Sequence, residues 1–137
     1  MSKLSTQADI IGFLEEQGYG ITEDGGILIL QDEDGLNIFA VLDESQIEFM
    51  VDLCSVNDLD TTKLAEIYEK ILDQNTEILP TCFGIDSTEA TDKRMVLVDS
   101  LAVENLDTNE LLLSVDSFAV NVVTAHDLLL PYLKKSS

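Results

Sequence analysis

The order of its apolar repeats is the feature that most constrains the fold of this chain. Residues 5–17 place apolar side chains three and four positions apart, which is typical of one face of a helix. Residues 46–56 alternate apolar and polar side chains, which is typical of a half-buried strand. Applied to the whole chain, these two periods predict the order α-β-β-β-α-β-β-α. We therefore expect an α+β fold, an antiparallel sheet with helices packed on it.

Short turns and capping residues mark the boundaries of these elements. The predicted elements are helix 5–17, strands 27–30, 36–42 and 46–56, helix 61–74, strands 81–86 and 95–103, and a final helix after residue 107. Ser5 or Thr6 can cap the first helix, and Gly18 is placed to end it. Asp107 and Glu110 resemble a capping box for the final helix, which Pro131 should end or kink near Leu130.

Composition indicates one domain over residues 1–137 and argues against several ligand classes. The chain is 45% hydrophobic, so it can form a core, and it carries 27 acidic against 7 basic residues, a net charge of −20. Because phosphates are bound mainly by Lys and Arg, we expect no nucleic-acid ligand and no binding to an anionic membrane surface. A basic protein segment is the better electrostatic match. The alternative is that the charge serves solubility alone.

The chain shows neither a secretory signal nor a disulfide framework. Its first residues lack a long apolar stretch, and no segment approaches the roughly 20 apolar residues of a membrane span. Cys54 and Cys82 are too few for a stapled secreted domain. We therefore expect a cytoplasmic protein with two free thiols and no direct membrane insertion.

No local motif points to catalysis, a metal or a cofactor. His126 lies beside Asp127 in a predicted helix, where neighbouring side chains point in different directions and do not form a dyad. A calcium loop starting at Asp32 would need Gly where the chain has Asn37. We therefore expect a non-catalytic protein with no cofactor and no metal. Two alternatives stay open: a small-molecule enzyme with a site assembled around His126, and a structural subunit of a larger assembly.

One face of the predicted meander carries apolar side chains that the core does not require. Phe39 and Val41 lie opposite the core-facing residues of their strand, and Met50 and Cys54 fall on the same side of the next one. A sheet covered by helices on one face commonly leaves the other face in water. Phe39, Val41 and Met50 are therefore a candidate contact surface. The alternative is that the last helix or curling of the sheet covers them.

The predicted element order resembles that of the class I type III secretion chaperones. Within that fold, the segments FLEEQGYGI, LNIFAVLDESQIEFMVDLC and ILPTCFGID are similar to the uncharacterised bacterial family numbered 2170 among domains of unknown function. A resemblance to the YbjN-type regulators, which share the fold, is the alternative.

The resemblance implies a small cytoplasmic adaptor or chaperone-like protein that forms a homodimer and binds a protein partner. That partner would be a basic or coiled-coil segment. Family 2170 resembles neighbours of phage-shock-like membrane-stress proteins, which implies a regulator of such a protein. The chaperone-like relatives often pair through their second helix, which makes Tyr68 and Ile71 a competing surface. The residues themselves favour a core position for these two, because they lie on the apolar stripe of their helix.

Overall fold

The computed structural model describes residues 4–134 and confirms the predicted α+β fold. Its helices are α1 (Gln7–Glu16), α2 (Leu64–Gln74) and α3 (Thr108–Leu129). Its strands are β1 (Gly20–Asp24), β2 (Ile27–Gln31), β3 (Asn37–Leu42), β4 (Gln46–Ser55), β5 (Cys82–Asp86) and β6 (Arg94–Ala102). Short 3-10 turns precede α2 and follow α3, the last of them at Leu130–Tyr132. The described strands form one sheet in the order β1-β2-β3-β4-β6-β5.

The described residues contain one strand more than the sequence predicts. The additional strand is β1, which precedes the three strands predicted within residues 27–56. Gly20–Asp24 pairs antiparallel with β2, and Gly25 and Gly26 form the two-residue turn between them. Both glycines have positive φ, 58° and 85°, as a tight hairpin turn requires. Within β1 only Ile21 is half-buried, and the other four residues are exposed. The strand therefore lacks the apolar alternation by which strands are recognised. The Gly-Gly turn was the available signal.

The predicted helix ends are confirmed at atomic detail. Thr6 caps α1 in a capping box, because its hydroxyl accepts from the Asp9 amide while the Asp9 carboxylate accepts from the Thr6 amide, both over 3.1 Å. At the start of α3 the Asp107 carboxylate accepts from the Glu110 amide over 2.8 Å. Each cap satisfies amides that the first turn of a helix leaves without a backbone partner.

The chain divides into two compact units, and the first contains Met1–Val51 and Asp99–Asp116. Its buried apolar residues alternate along β2, β3 and β4 and recur on α1, just before α3 and on α3: Ile10, Leu14, Leu28, Leu30, Ile38, Ala40, Ile47, Phe49, Val51, Leu106, Leu111 and Val115. Two side-chain hydrogen bonds join α3 to other parts of this unit. Tyr19 donates to the Asp116 carboxylate over 2.8 Å, and Ser114 donates to Asp99 over 2.6 Å.

The second unit contains Asp52–Val98 and Ser117–Ser137. Its core is built from α2, β5, β6, the second half of α3 and the segments that flank these elements: Leu59, Ile67, Ile71, Ile78, Phe83, Met95, Val96, Leu97, Phe118, Ala125, Leu129 and Tyr132. Buried polar groups in this core are paired. Asn121 of α3 donates to the Ile78 carbonyl over 2.7 Å and to the Thr81 hydroxyl over 2.9 Å.

Candidate functional site

The first unit carries a row of apolar side chains on the side of its sheet that faces away from the core. Ile29 of β2 lies opposite Phe39 of β3, and Phe39 lies opposite Met50 of β4. All three are half-buried, whereas their strand neighbours Leu30, Ile38 and Phe49 are at most 1% exposed. Since successive strand side chains point to opposite faces, the core lies on one side and this row on the other.

Two more apolar residues extend the row toward the start of β2 and the end of β3. Val41 of β3 is 45% exposed and Ile27 of β2 is 40% exposed. We call Ile27, Ile29, Phe39, Val41 and Met50 the apolar sheet face. Contiguous apolar patches on soluble proteins commonly mark a contact site, which makes this face a candidate for one.

Polar and acidic side chains border the apolar sheet face. Glu48 lies opposite Val41, and Asp24 lies opposite Ile27. On the other border, Gln31 donates to the Asn37 side-chain oxygen over 3.2 Å. An apolar centre with a polar rim is the usual anatomy of a protein–protein contact. The two carboxylates make this rim electronegative.

The structure places the two α2 residues of the competing surface differently from each other. Ile71 is buried in the second unit at 5% exposure, and Tyr68 is half-buried. The apolar stripe of α2 therefore serves the core at Ile71, while Tyr68 retains access to solvent. Pairing of two copies through this helix stays a prediction.

His126 does not form an assembled catalytic group within residues 4–134. Its side chain is exposed on α3, and it makes no hydrogen bond or ion pair with a carboxylate there. Two shallow clefts of about 320 and 330 Å³ lie in the first unit. His126 lines neither of them. Among the described residues, no group of three or more His, Cys, Asp or Glu side chains is arranged to hold a metal ion.

Both cysteines are half-buried. Burial raises the pKa of the Cys54 thiol, and the nearby Asp58 carboxylate adds to that effect. A thiol with a raised pKa holds its proton and is a poor nucleophile. The position of Cys54 on β4 is thus a packing position.

Helix α3 is long and apolar enough to cross a bilayer, judged by length and composition alone, over Thr108–Tyr132. The hydropathy of this helix instead reflects side chains that are buried in the core of the protein. In the second unit Phe118, Ala125 and Leu129 are at most 2% exposed, and Asn121 makes its hydrogen bonds to protein partners. These are the properties of a core helix.

The opposite side of α3 is apolar as well, which was not predicted from the sequence. Val120 and Val123 of α3 are 68% and 61% exposed, and Leu130, in the 3-10 turn that follows α3, is 65% exposed. The available signal was their spacing, which places all three on the side of the helix facing away from Phe118, Ala125 and Leu129.

A known family matches the chain over nearly its whole length. The sequence profile of the CesT_Tir_1 family, a type III secretion chaperone-like family, matches residues 3–135. The chain belongs to the CesT_Tir_1 family. This membership accounts for the chaperone-like α+β fold and favours a non-enzymatic protein.

Two solved structures share the fold of this CesT_Tir_1 member. YbjN, a candidate transcription regulator from E. coli, is 17% identical with a TM-score of 0.67, and the match covers 98% of this chain and 100% of YbjN. An uncharacterised protein from Methanothermobacter thermautotrophicus is 13% identical with a TM-score of 0.66, covering 92% of this chain and 98% of that one. No curated protein sequence matches significantly. Identities this low establish the shared fold alone.

Proposed function

We propose that this protein is a non-catalytic cytoplasmic adaptor or chaperone-like protein that binds a protein partner on its apolar sheet face. The observation that carries the proposal is the register row Ile29, Phe39 and Met50, which lies outside the core of the first unit. Membership of a chaperone-like family supports it.

The chemistry of the rim favours a basic partner segment. Asp24 and Glu48 border the apolar sheet face, and the chain carries 27 acidic against 7 basic residues. A partner segment with apolar side chains flanked by Lys or Arg would bury the row and pair with these carboxylates. A second copy of the chain would bring further carboxylates instead. The homodimer implied by the resemblance is therefore a separate proposal, for which Tyr68 on α2 is the candidate surface.

The resemblance to family 2170 suggests which partner to test first. A coiled-coil membrane-stress protein of the phage-shock type would make this protein its regulator. A coiled-coil helix presents an apolar seam flanked by charged side chains, which can include Lys and Arg. Purified protein of that type is the first candidate for a direct binding titration.

The experiment combines partner capture with surface variants. Tagged protein is used to capture partners from its native cytoplasm at low and moderate salt, and the retained proteins are identified by mass spectrometry. We expect one dominant basic or coiled-coil partner that is lost as salt rises, because screening weakens the attraction to the acidic rim. Binding of that purified partner is then measured by calorimetry.

Met50→Asp and Phe39→Asp should each weaken binding about tenfold or more, because a carboxylate in the apolar centre would be desolvated without a partner. Ala90→Asp is the matched control, since it adds the same charge at an exposed position between β5 and β6, outside the apolar sheet face. Circular dichroism confirms that each variant is folded. Wild-type affinity in both Met50→Asp and Phe39→Asp would show that this surface is the wrong one.

A further inference from the structure

The second half of α3 exposes an apolar stripe that the proposed function does not use. Val120 and Val123 of α3, and Leu130 in the 3-10 turn that follows it, are more than 60% exposed, on the side opposite buried Phe118 and Leu129. A surface helix normally carries polar or charged side chains on its outer face. An outer face with three large apolar residues indicates that another molecule covers it.

The spacing along this stripe is that of a coiled-coil seam. Residues 120, 123, 127 and 130 follow one another at intervals of three, four and three, the a and d positions of a heptad repeat. Val120 and Val123 fill two of these positions within α3 and Asp127 fills a third, and Leu130 follows at the fourth, one residue beyond the end of α3. A seven-residue repeat drifts by about 20° per heptad around a straight helix, so the stripe suits a second helix that wraps around α3.

Charge decides which kind of helix fits the stripe. Residues 117–130 include no Lys or Arg, and Asp127 lies within the stripe itself. In a parallel pair of α3 helices the two Asp127 carboxylates would meet, and in an antiparallel pair each would face an apolar side chain. A partner helix with Lys or Arg at the facing position would pair with Asp127 instead.

We propose that this stripe is a docking site for an amphipathic helix of another protein. That helix carries apolar residues at heptad spacing and a Lys or Arg that faces Asp127. The site lies in the second unit and does not depend on the apolar sheet face, so each surface is tested separately.

The probe is a synthetic helical peptide of about four heptads, with Leu at its a and d positions except for one central Lys at an a position. The single Lys also limits pairing of the peptide with itself. Its binding to the full chain is measured by fluorescence anisotropy. We expect saturable binding, and about tenfold weaker binding of the same peptide with Glu in place of the Lys.

Variants of the full chain locate the site. Val123→Glu should weaken binding of the Lys peptide about tenfold or more, because it places a second carboxylate in the seam. Leu72→Glu on α2, where Leu72 is 67% exposed against 61% for Val123, is the matched control and should bind like the wild type. Met50→Asp should also bind like the wild type, which separates this proposal from the sheet-face proposal. Asp127→Lys should reverse the preference between the Lys and Glu peptides.

Four outcomes would overturn the proposal. The first is a Kd of about 1 mM or weaker for the Lys peptide. The second is an unchanged peptide preference in Asp127→Lys. The third is a dimer by sedimentation that Val123→Glu converts to a monomer, since a second copy would then cover the stripe. The fourth is co-sedimentation with phosphatidylcholine vesicles that Val123→Glu abolishes, since lipid would then cover it.

Discussion

Asn121 donates its side-chain amide to the Thr81 hydroxyl over 2.9 Å in the core of the second unit. The same amide donates to the Ile78 carbonyl over 2.7 Å, and Thr81 donates to that carbonyl over 2.6 Å. Thr81 is fully buried and Asn121 is 9% exposed. This triangle joins α3 to the segment before β5 and satisfies polar groups that water does not reach.

Replacing Asn121 should therefore destabilise the protein. Asn121→Leu keeps the side-chain volume but removes both donated bonds, and we expect a loss of about 1–3 kcal/mol in the free energy of unfolding. Urea unfolding followed by circular dichroism measures it. Asn109→Leu, the same substitution at an exposed position of α3, should change stability by no more than about 0.5 kcal/mol. Equal stability of the Asn121 and Asn109 variants would contradict the structural role of the triangle.

The hydrogen bond from Tyr19 to Asp116 should make stability fall at alkaline pH. Burial, and then the Asp116 carboxylate, raise the pKa of Tyr19 above its ordinary value. The folded state therefore favours the protonated phenol, and this contribution is complete below about pH 10 and is lost as the pH rises through the raised pKa. Tyr19→Phe should cost about 0.5–1.5 kcal/mol at neutral pH and flatten the alkaline decline.

Urea unfolding at several pH values from about 7 to 11 tests this expectation. Tyr68→Phe is the matched control, because the Tyr68 hydroxyl makes no hydrogen bond within residues 4–134. It should keep the alkaline decline of the wild type. If the free energy of unfolding of Tyr19→Phe fell as steeply with rising pH as that of the wild type, the phenol of Tyr19 would not cause the alkaline loss of stability.

Asp92 should contribute to stability that is lost in acid. The Ser55 hydroxyl, which donates to this carboxylate, and the Arg94 guanidinium at 3.3 Å lower the pKa of Asp92. Because the folded state favours the ionised form, the contribution is present above about pH 4 and is lost as the pH falls through the lowered pKa. Asp92→Asn should therefore show a shallower loss of stability between about pH 5 and pH 2 than the wild type.

Thermal or urea unfolding across that acid range measures the difference. Glu33→Gln removes an exposed carboxylate for which the described part of the chain shows no hydrogen bond or ion pair. It should follow the acid decline of the wild type. Identical curves of stability against pH for the Asp92 and Glu33 variants would show that Asp92 does not contribute to the loss of stability in acid.

The turn between β1 and β2 should tolerate only residues that accept a positive φ. Gly25 has a φ of 58°, so Gly25→Val should cost about 1–2 kcal/mol, whereas Gly25→Asn should be nearly neutral. Gly12 in α1 is the control, because an added Cβ would meet no atom within 4 Å. Gly12→Ala should stabilise the helix by up to about 1 kcal/mol. Equal effects of Val and Asn at position 25 would contradict the turn geometry.

The spacing of apolar residues and the capping residues predicted most of the fold from the sequence alone, because these signals are local. Thr6 and Asp107 cap their helices as predicted, since a capping side chain bonds amides only two or three residues away. The alternation along β3 and β4 placed Phe39 and Met50 on one side of the sheet, since a strand's side chains alternate whatever it pairs with.

Tertiary structure decided the features that depend on distant partners. β1 is a strand because β2 supplies its hydrogen bonds, although its own residues are mostly polar. Helical periodicity placed Ile71 and Val123 on apolar positions of their helices, but only packing buried the first and left the second 61% exposed. A helix that is apolar on two sides cannot select its inner face by itself. The sheet and the neighbouring helix make that selection, because burying one side leaves the other to solvent or to a partner.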